Sequence, residues 1–83
     1  MYYRNVAVEL ARNGWNKQTL TEKLNDAGVN IKYTTLCGKL RGEITITFGE
    51  SCEMGKILNA DPRYLLDRTG KIERKPYYED GQE

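Results

Sequence analysis

Residues 1–42 hold seven basic side chains, Arg4, Arg12, Lys17, Lys23, Lys32, Lys39 and Arg41, against three acids, Glu9, Glu22 and Asp26. That surplus of four positive charges suits the attraction of anions, phosphates above all. Residues 43–83 reverse the balance with six basic and nine acidic side chains, so the overall charge of +1 conceals a polarised chain. Bond-making chemistry has little to work with. Histidine is absent, and the two cysteines, Cys37 and Cys52, lie fifteen positions apart, so neither a zinc knuckle nor a Cys-His nucleophile can be assembled. Gly-rich phosphate loops are missing too, and the acids are scattered along faces that read as exposed. No enzyme, metal or cofactor is expected, and both thiols read as reduced and partly buried.

Helices must position the basic residues. Tyr3, Val6, Ala7 and Leu10 recur at the spacing of an amphipathic helix, which should end near Asn13-Gly14. Asn16 can cap a second helix carrying Leu20 and Leu24 and stopping in Asn25-Asp26-Ala27-Gly28; Trp15 between the two reads as a lid on the core. Lys17 opens that second helix, where the positive end of the helix dipole favours an anion. Asn30 is the expected cap of a third helix with Ile31, Leu36 and Leu40 inward and Lys32, Tyr33, Thr34, Lys39 and Arg41 on other faces, ending at Gly42.

Beyond Gly42 the period changes. Glu43-Ile44-Thr45-Ile46-Thr47-Phe48 alternates apolar and polar residues, the pattern of a short extended segment over 43–47. Thr47 and Glu50 form a capping-box pattern for a fourth helix, whose expected inner face is Phe48, Ser51, Cys52, Gly55 and Leu58, with small residues that admit another helix. Asp61-Pro62 starts a brief last helix over Leu65 and Leu66, ended by Gly70. The resulting fold class is all-α: a compact four- to five-helix bundle over residues 1–69, followed by a charged, mobile tail over 70–83. Eighty-three residues suffice for one such domain. No apolar run is long enough to span a membrane, and Met1-Tyr2-Tyr3-Arg4 lacks the apolar stretch of a secretion signal, so the cytoplasm is the expected compartment.

Two segments carry a resemblance. Gly14-Trp15-Asn16-Lys17-Gln18-Thr19-Leu20-Thr21-Glu22-Lys23-Leu24 resembles the first half of the helix-turn-helix of the phage repressor and Cro-like (XRE-type) family. Tyr33-Thr34-Thr35-Leu36-Cys37-Gly38-Lys39-Leu40-Arg41-Gly42 looks like that family's recognition helix and closing glycine. Ile46-Thr47-Phe48, Leu58, Asp61-Pro62 and Leu65-Leu66 fit its last two helices, so the likeness covers roughly residues 4–67. The stretch between Leu24 and Leu36 is longer than the family's usual turn and brings the chain closer to a bacterial subset of unassigned function.

The resemblance implies double-stranded DNA as partner, transcriptional regulation of the repressor kind, and a homodimer matched to paired half-sites. Tyr33 and Thr34 would read bases first and Gly38 would hold the third reading position, allowing close backbone approach to DNA. Lys39 and Arg41 would supply charge to the DNA backbone or a guanine edge, while Lys17, Asn16 and Lys32 would contact phosphate. The competing expectation is a protein-interaction module, antitoxin-like or the regulatory subunit of a larger complex, built on the same helices. No membrane and no small-molecule cofactor enters either reading.

Overall fold

Side-chain caps start three of the five helices among the described residues. In the computed structural model, which describes residues 3–78, the five are α1 (Arg4–Asn13), α2 (Lys17–Asp26), α3 (Tyr33–Leu40), α4 (Phe48–Leu58) and α5 (Pro62–Leu66). No strand occurs among the described residues, and the class is an all-α bundle. α1 stops where Gly14 turns left-handed (φ 69°), its N–H and that of Trp15 bonding back to Ala11 and Leu10 carbonyls. α2 starts where the Asn16 side chain accepts the Thr19 N–H at 2.9 Å.

The long connection between α2 and α3 is tied down by α2 itself. Asn25 Nδ2 donates to the carbonyls of Thr21 and Ile31, and the Val29 N–H to that of Leu24, so Ile31 is delivered into the core. Asn30 does not cap α3, contrary to expectation. Lys32 occupies the N-cap position without a side-chain bond, and Ile31 precedes the helix. The helix therefore begins two residues later than the Asn30 signal suggests.

Leu20 and Leu24 of α2, Leu36 and Leu40 of α3, Met54 and Leu58 of α4, and Leu65 of α5 fill the centre with Val6 and Leu10 of α1. Ala7 stays exposed although it lies on the apolar stripe of α1, and Phe48 is 64% exposed while Met54 takes the inward position on α4. The alternating segment 43–47 is not a strand. Its first N–H groups, those of Glu43 and Ile44, bond to the Gly38 carbonyl at the end of α3, and Ile46 drops into the core, so the segment folds back on α3 as a loop. The Thr47–Glu50 capping box forms in both directions. At Gly55 the expected close approach is to the start of α5: a Cβ there would meet the Ala60 carbonyl oxygen at 2.6 Å, Tyr77 at 3.0 Å and Pro62, the first residue of α5, at 3.3 Å.

α5 is capped by Asp61, with Pro62 at its first position, and ends at Leu66 rather than near Gly70. Asp67 ends it by gathering the Thr69 N–H and hydroxyl on one carboxylate oxygen and the Ile72 N–H on the other. These bonds hold its pKa at about 2.

Residues 71–78 do not stand apart as a tail. Lys75 accepts the Asp61 N–H through its carbonyl, Tyr78 N–H reaches the Asn59 side chain, and Arg74 spans from the Asn59 carbonyl to both carboxylate oxygens of Glu9 at 3.0 Å. The remainder of that segment, 79–83, lies outside the described residues. Glu9 is 0% exposed and also accepts the Tyr64 hydroxyl at 3.0 Å. One buried carboxylate thus joins α1, α5 and the C-terminal segment.

Removing Arg74 leaves Glu9 buried without its full counter-charge, a change that typically costs a few kcal/mol. Arg74→Ala is expected to destabilise the chain by about 3 kcal/mol in urea unfolding. Arg12→Ala, which removes an exposed partner of the same carboxylate at 3.5 Å, is expected to cost under about 0.5 kcal/mol. Equal losses from the two variants would show that burial of Glu9 does not govern the network.

Candidate nucleic-acid interface

The starts of α2 and α3 meet at one surface. Asn16, Lys17 and Gln18 line a shallow depression of about 420 Å³ together with Tyr33. Lys17 continues into an adjoining groove of about 250 Å³, whose lining includes Arg41 at the end of α3. Tyr33 is 44% exposed, and Lys32 and Thr34 beside it are exposed as well. Six of the expected contact residues, Asn16, Lys17, Lys32, Tyr33, Thr34 and Arg41, are therefore presented to solvent to some degree.

Each is held differently. The Asn16 carboxamide oxygen is occupied by the Thr19 N–H and hydroxyl, which fixes the side chain as a cap. Lys17 and Lys32 have no carboxylate partner among the described residues. Arg41 pairs with Glu43 at 3.1 Å, but both side chains are more than half exposed, so water screens the pair. Interaction with the neighbouring Cys37 side chain raises the Tyr33 pKa above the ordinary phenol value. Lys23 sits 4.5 Å from the centre of the Trp15 ring, so the half-buried lid carries a cation on its outer side.

Two expected contact residues are not available. Lys39 is withdrawn from the surface: its ammonium donates to the Thr45 carbonyl at 2.9 Å and to Glu50 at 2.8 Å, with 11% of the side chain exposed. At 100° per residue Lys39 falls on the flank of α3 that turns toward the start of α4, and there it serves the fold. Gly38 is buried, covered by Ile44. An added Cβ would lie 2.9 Å from Ile44 Cδ1, so the missing side chain makes room for the returning loop and not for a DNA backbone. The outer face of α3 is in consequence narrower and more apolar than its sequence implies, with Ile44 43% exposed across its middle.

Sequence reasoning missed Gln18, the Trp15–Lys23 stack and the Ile44 cover. The first was legible, since it follows Lys17 on an identified helix start. The second joins residues eight apart across a turn, and the third depends on a loop path that periodicity does not encode. Cys37 is buried, Cys52 is half-buried, and both are free thiols. No three potential metal-ligating side chains converge among the described residues.

The Lys39–Glu50 pair has a pH signature. Burial pushes the Glu50 pKa up, but the Lys39 hydrogen bond, the Thr47 N–H and the Lys39 charge outweigh it, and the net shift is downward. A carboxyl depressed in the folded state stabilises above its unfolded pKa, and that stability disappears as pH falls through the folded one. Glu50→Gln is therefore expected to cost about 2 kcal/mol at neutral pH, with the gap from wild type narrowing as pH falls through the carboxylate range. A gap that stays constant with pH in matched unfolding titrations would contradict this. Comparison of the chain with protein families, with characterised proteins and with solved structures finds no match.

Proposed function

We propose that this protein binds double-stranded DNA through the starts of α2 and α3 and regulates transcription in the cytoplasm, as a repressor occupying its operator does. One observation carries the reading: Asn16, the cap of α2, and Lys17 and Gln18 in its first turn share a surface depression with Tyr33 from α3. A helix-turn-helix needs this arrangement, because the first helix must anchor on phosphate where the second enters the major groove. Lys17 and Lys32, uncommitted to carboxylates, supply the phosphate contacts. Tyr33 and Thr34 face the base edges, and Arg41 exchanges Glu43 for a phosphate. With Gly38 covered and Lys39 engaged, readout is concentrated at the first turn of α3, which favours modest sequence selectivity. An eight-residue α3 is about 12 Å long and addresses one half-site, so the functional unit is a homodimer with half-sites about 34 Å apart.

A second reading draws on a separate observation. Ile44 and Phe48, the large apolar side chains left exposed just after α3, are the kind of anchors that protein interfaces use. They support a protein-interaction module, antitoxin-like or the regulatory subunit of a complex.

Salt dependence separates the two. Binding to a mixed-sequence duplex should weaken as salt rises, with a slope of about −0.9 per neutralised phosphate. The Lys17→Ala, Lys32→Ala, Arg41→Ala triple variant is expected to reduce that slope by about 2–3, while Lys56→Ala with Arg63→Ala, on the exposed surfaces of α4 and α5, leaves it unchanged. Absence of binding at low salt, or a triple variant with the wild-type slope, would overturn the DNA reading in favour of a protein partner.

A further inference from the structure

The fold leaves one member of the α1 stripe uncovered. Tyr3, Val6 and Leu10 are buried, whereas Ala7 is exposed and forms the floor of the groove of about 250 Å³. Tyr3, Leu10 and Leu40 complete its apolar lining, and Lys17 and Arg41 are the charged residues that line it. The floor is firm. Those three apolar residues belong to the core, and the Tyr3 N–H bonds to the Leu40 carbonyl at 2.7 Å, fastening the start of α1 to the end of α3.

The charges are all of one sign. Among the described residues no acid lines the groove and Lys17 has no carboxylate partner, and the Arg41–Glu43 pair is exposed enough for another anion to displace it at small cost. An apolar floor with two cations is complementary to a molecule that is apolar along its body and anionic at one end. The volume lies just under the roughly 300–1,000 Å³ of ordinary ligand sites, which limits the occupant to a small molecule.

We infer that this groove binds a small amphipathic carboxylate, its apolar body against Ala7, Leu10 and Leu40 and its carboxylate on Lys17 and Arg41. The consequence for regulation rests on the DNA reading: an occupied groove withdraws Lys17 and Arg41 from phosphate and lowers DNA affinity. The site itself does not depend on that reading.

Phenylacetate is a suitable probe, with phenylacetamide as its uncharged match, both titrated into the ¹⁵N-labelled full chain without DNA. Saturable amide shifts are expected at Ala7, Leu10, Lys17 and Arg41, at least tenfold weaker binding of the amide, and loss of binding in Ala7→Leu, which fills the floor from an exposed position. Lys17→Gln with Arg41→Gln, both on the surface, provides a second variant and should weaken phenylacetate at least tenfold while leaving the amide unchanged. No saturable shift with phenylacetate or hexanoate, or unaltered binding in both variants, would overturn the site. In a second arm, saturating phenylacetate should lower duplex affinity several-fold in wild type and not in Ala7→Leu. Probe binding with unchanged duplex affinity would overturn the regulatory consequence. Probe binding by a chain that binds no duplex at any salt would refute the DNA reading and the control built on it, while upholding the groove.

Discussion

The Lys39 ammonium decides what α3 can present. By bonding to the Thr45 carbonyl and to Glu50, it clamps the loop after α3 and the first turn of α4 onto the helix flank. Glu50 is at the same time the third residue of the α4 capping box, accepting the Thr47 N–H on the oxygen that Lys39 holds. One carboxylate oxygen therefore fixes where α4 begins and how the loop returns. Because the loop returns, Ile44 lies over Gly38 and Ile46 reaches the core. The charge that appears on paper to be available for recognition is consumed in shaping the face on which recognition would occur.

Glu9 does the equivalent work at the other end of the bundle. A fully buried carboxylate is tolerated only when its oxygens are satisfied, and here Tyr64 of α5 and Arg74 of the C-terminal segment do so. The consequence is architectural. Residues 71–78, rich in charge and poor in aliphatic side chains, are held along α1 and the α4–α5 turn by Arg74, the Lys75 carbonyl and Tyr77 against Gly55. Neither network engages the side chains of Lys17, Lys32, Tyr33 or Thr34.

Much of the helical framework was legible in the residues. Gly14, Asn16, Thr47 with Glu50, and Asp61-Pro62 act locally, and each boundary they imply appears where the cap chemistry puts it. Asn30 failed because Asn25, six residues before Ile31, binds the Ile31 carbonyl and holds the connection extended for two further residues. The alternation in 43–47 misled because of its apolar residues only Ile46 is buried; Ile44 stays 43% exposed over Gly38, since the segment turns back on α3 instead of pairing with a strand. The candidate surface was half legible. Lys17 stands at the helix start that its Asn16 cap implies, and Tyr33 and Thr34 are exposed away from Leu36 and Leu40 as expected although α3 begins two residues late, whereas Gly38 and Lys39 depend on a tertiary contact from a loop. Burial of Glu9 was hidden for the same reason, since its partners lie 55 and 65 residues away.

What remains exposed at the junction of α2 and α3 is a compact set: two uncommitted lysines, a phenol, a threonine and an arginine in an exchangeable pair. Lys17 shares one depression with Tyr33 and the adjoining groove with Arg41, and that convergence is the centre of the functional account. The most direct measurement is residue-resolved mapping of the ¹⁵N-labelled chain on a short mixed-sequence duplex at low salt. The account predicts that perturbation concentrates at residues 16–18 and 32–35 and leaves α4 and residues 71–78 unaffected. Perturbation centred on Ile44 and Phe48, or none at a saturating duplex concentration, would contradict it.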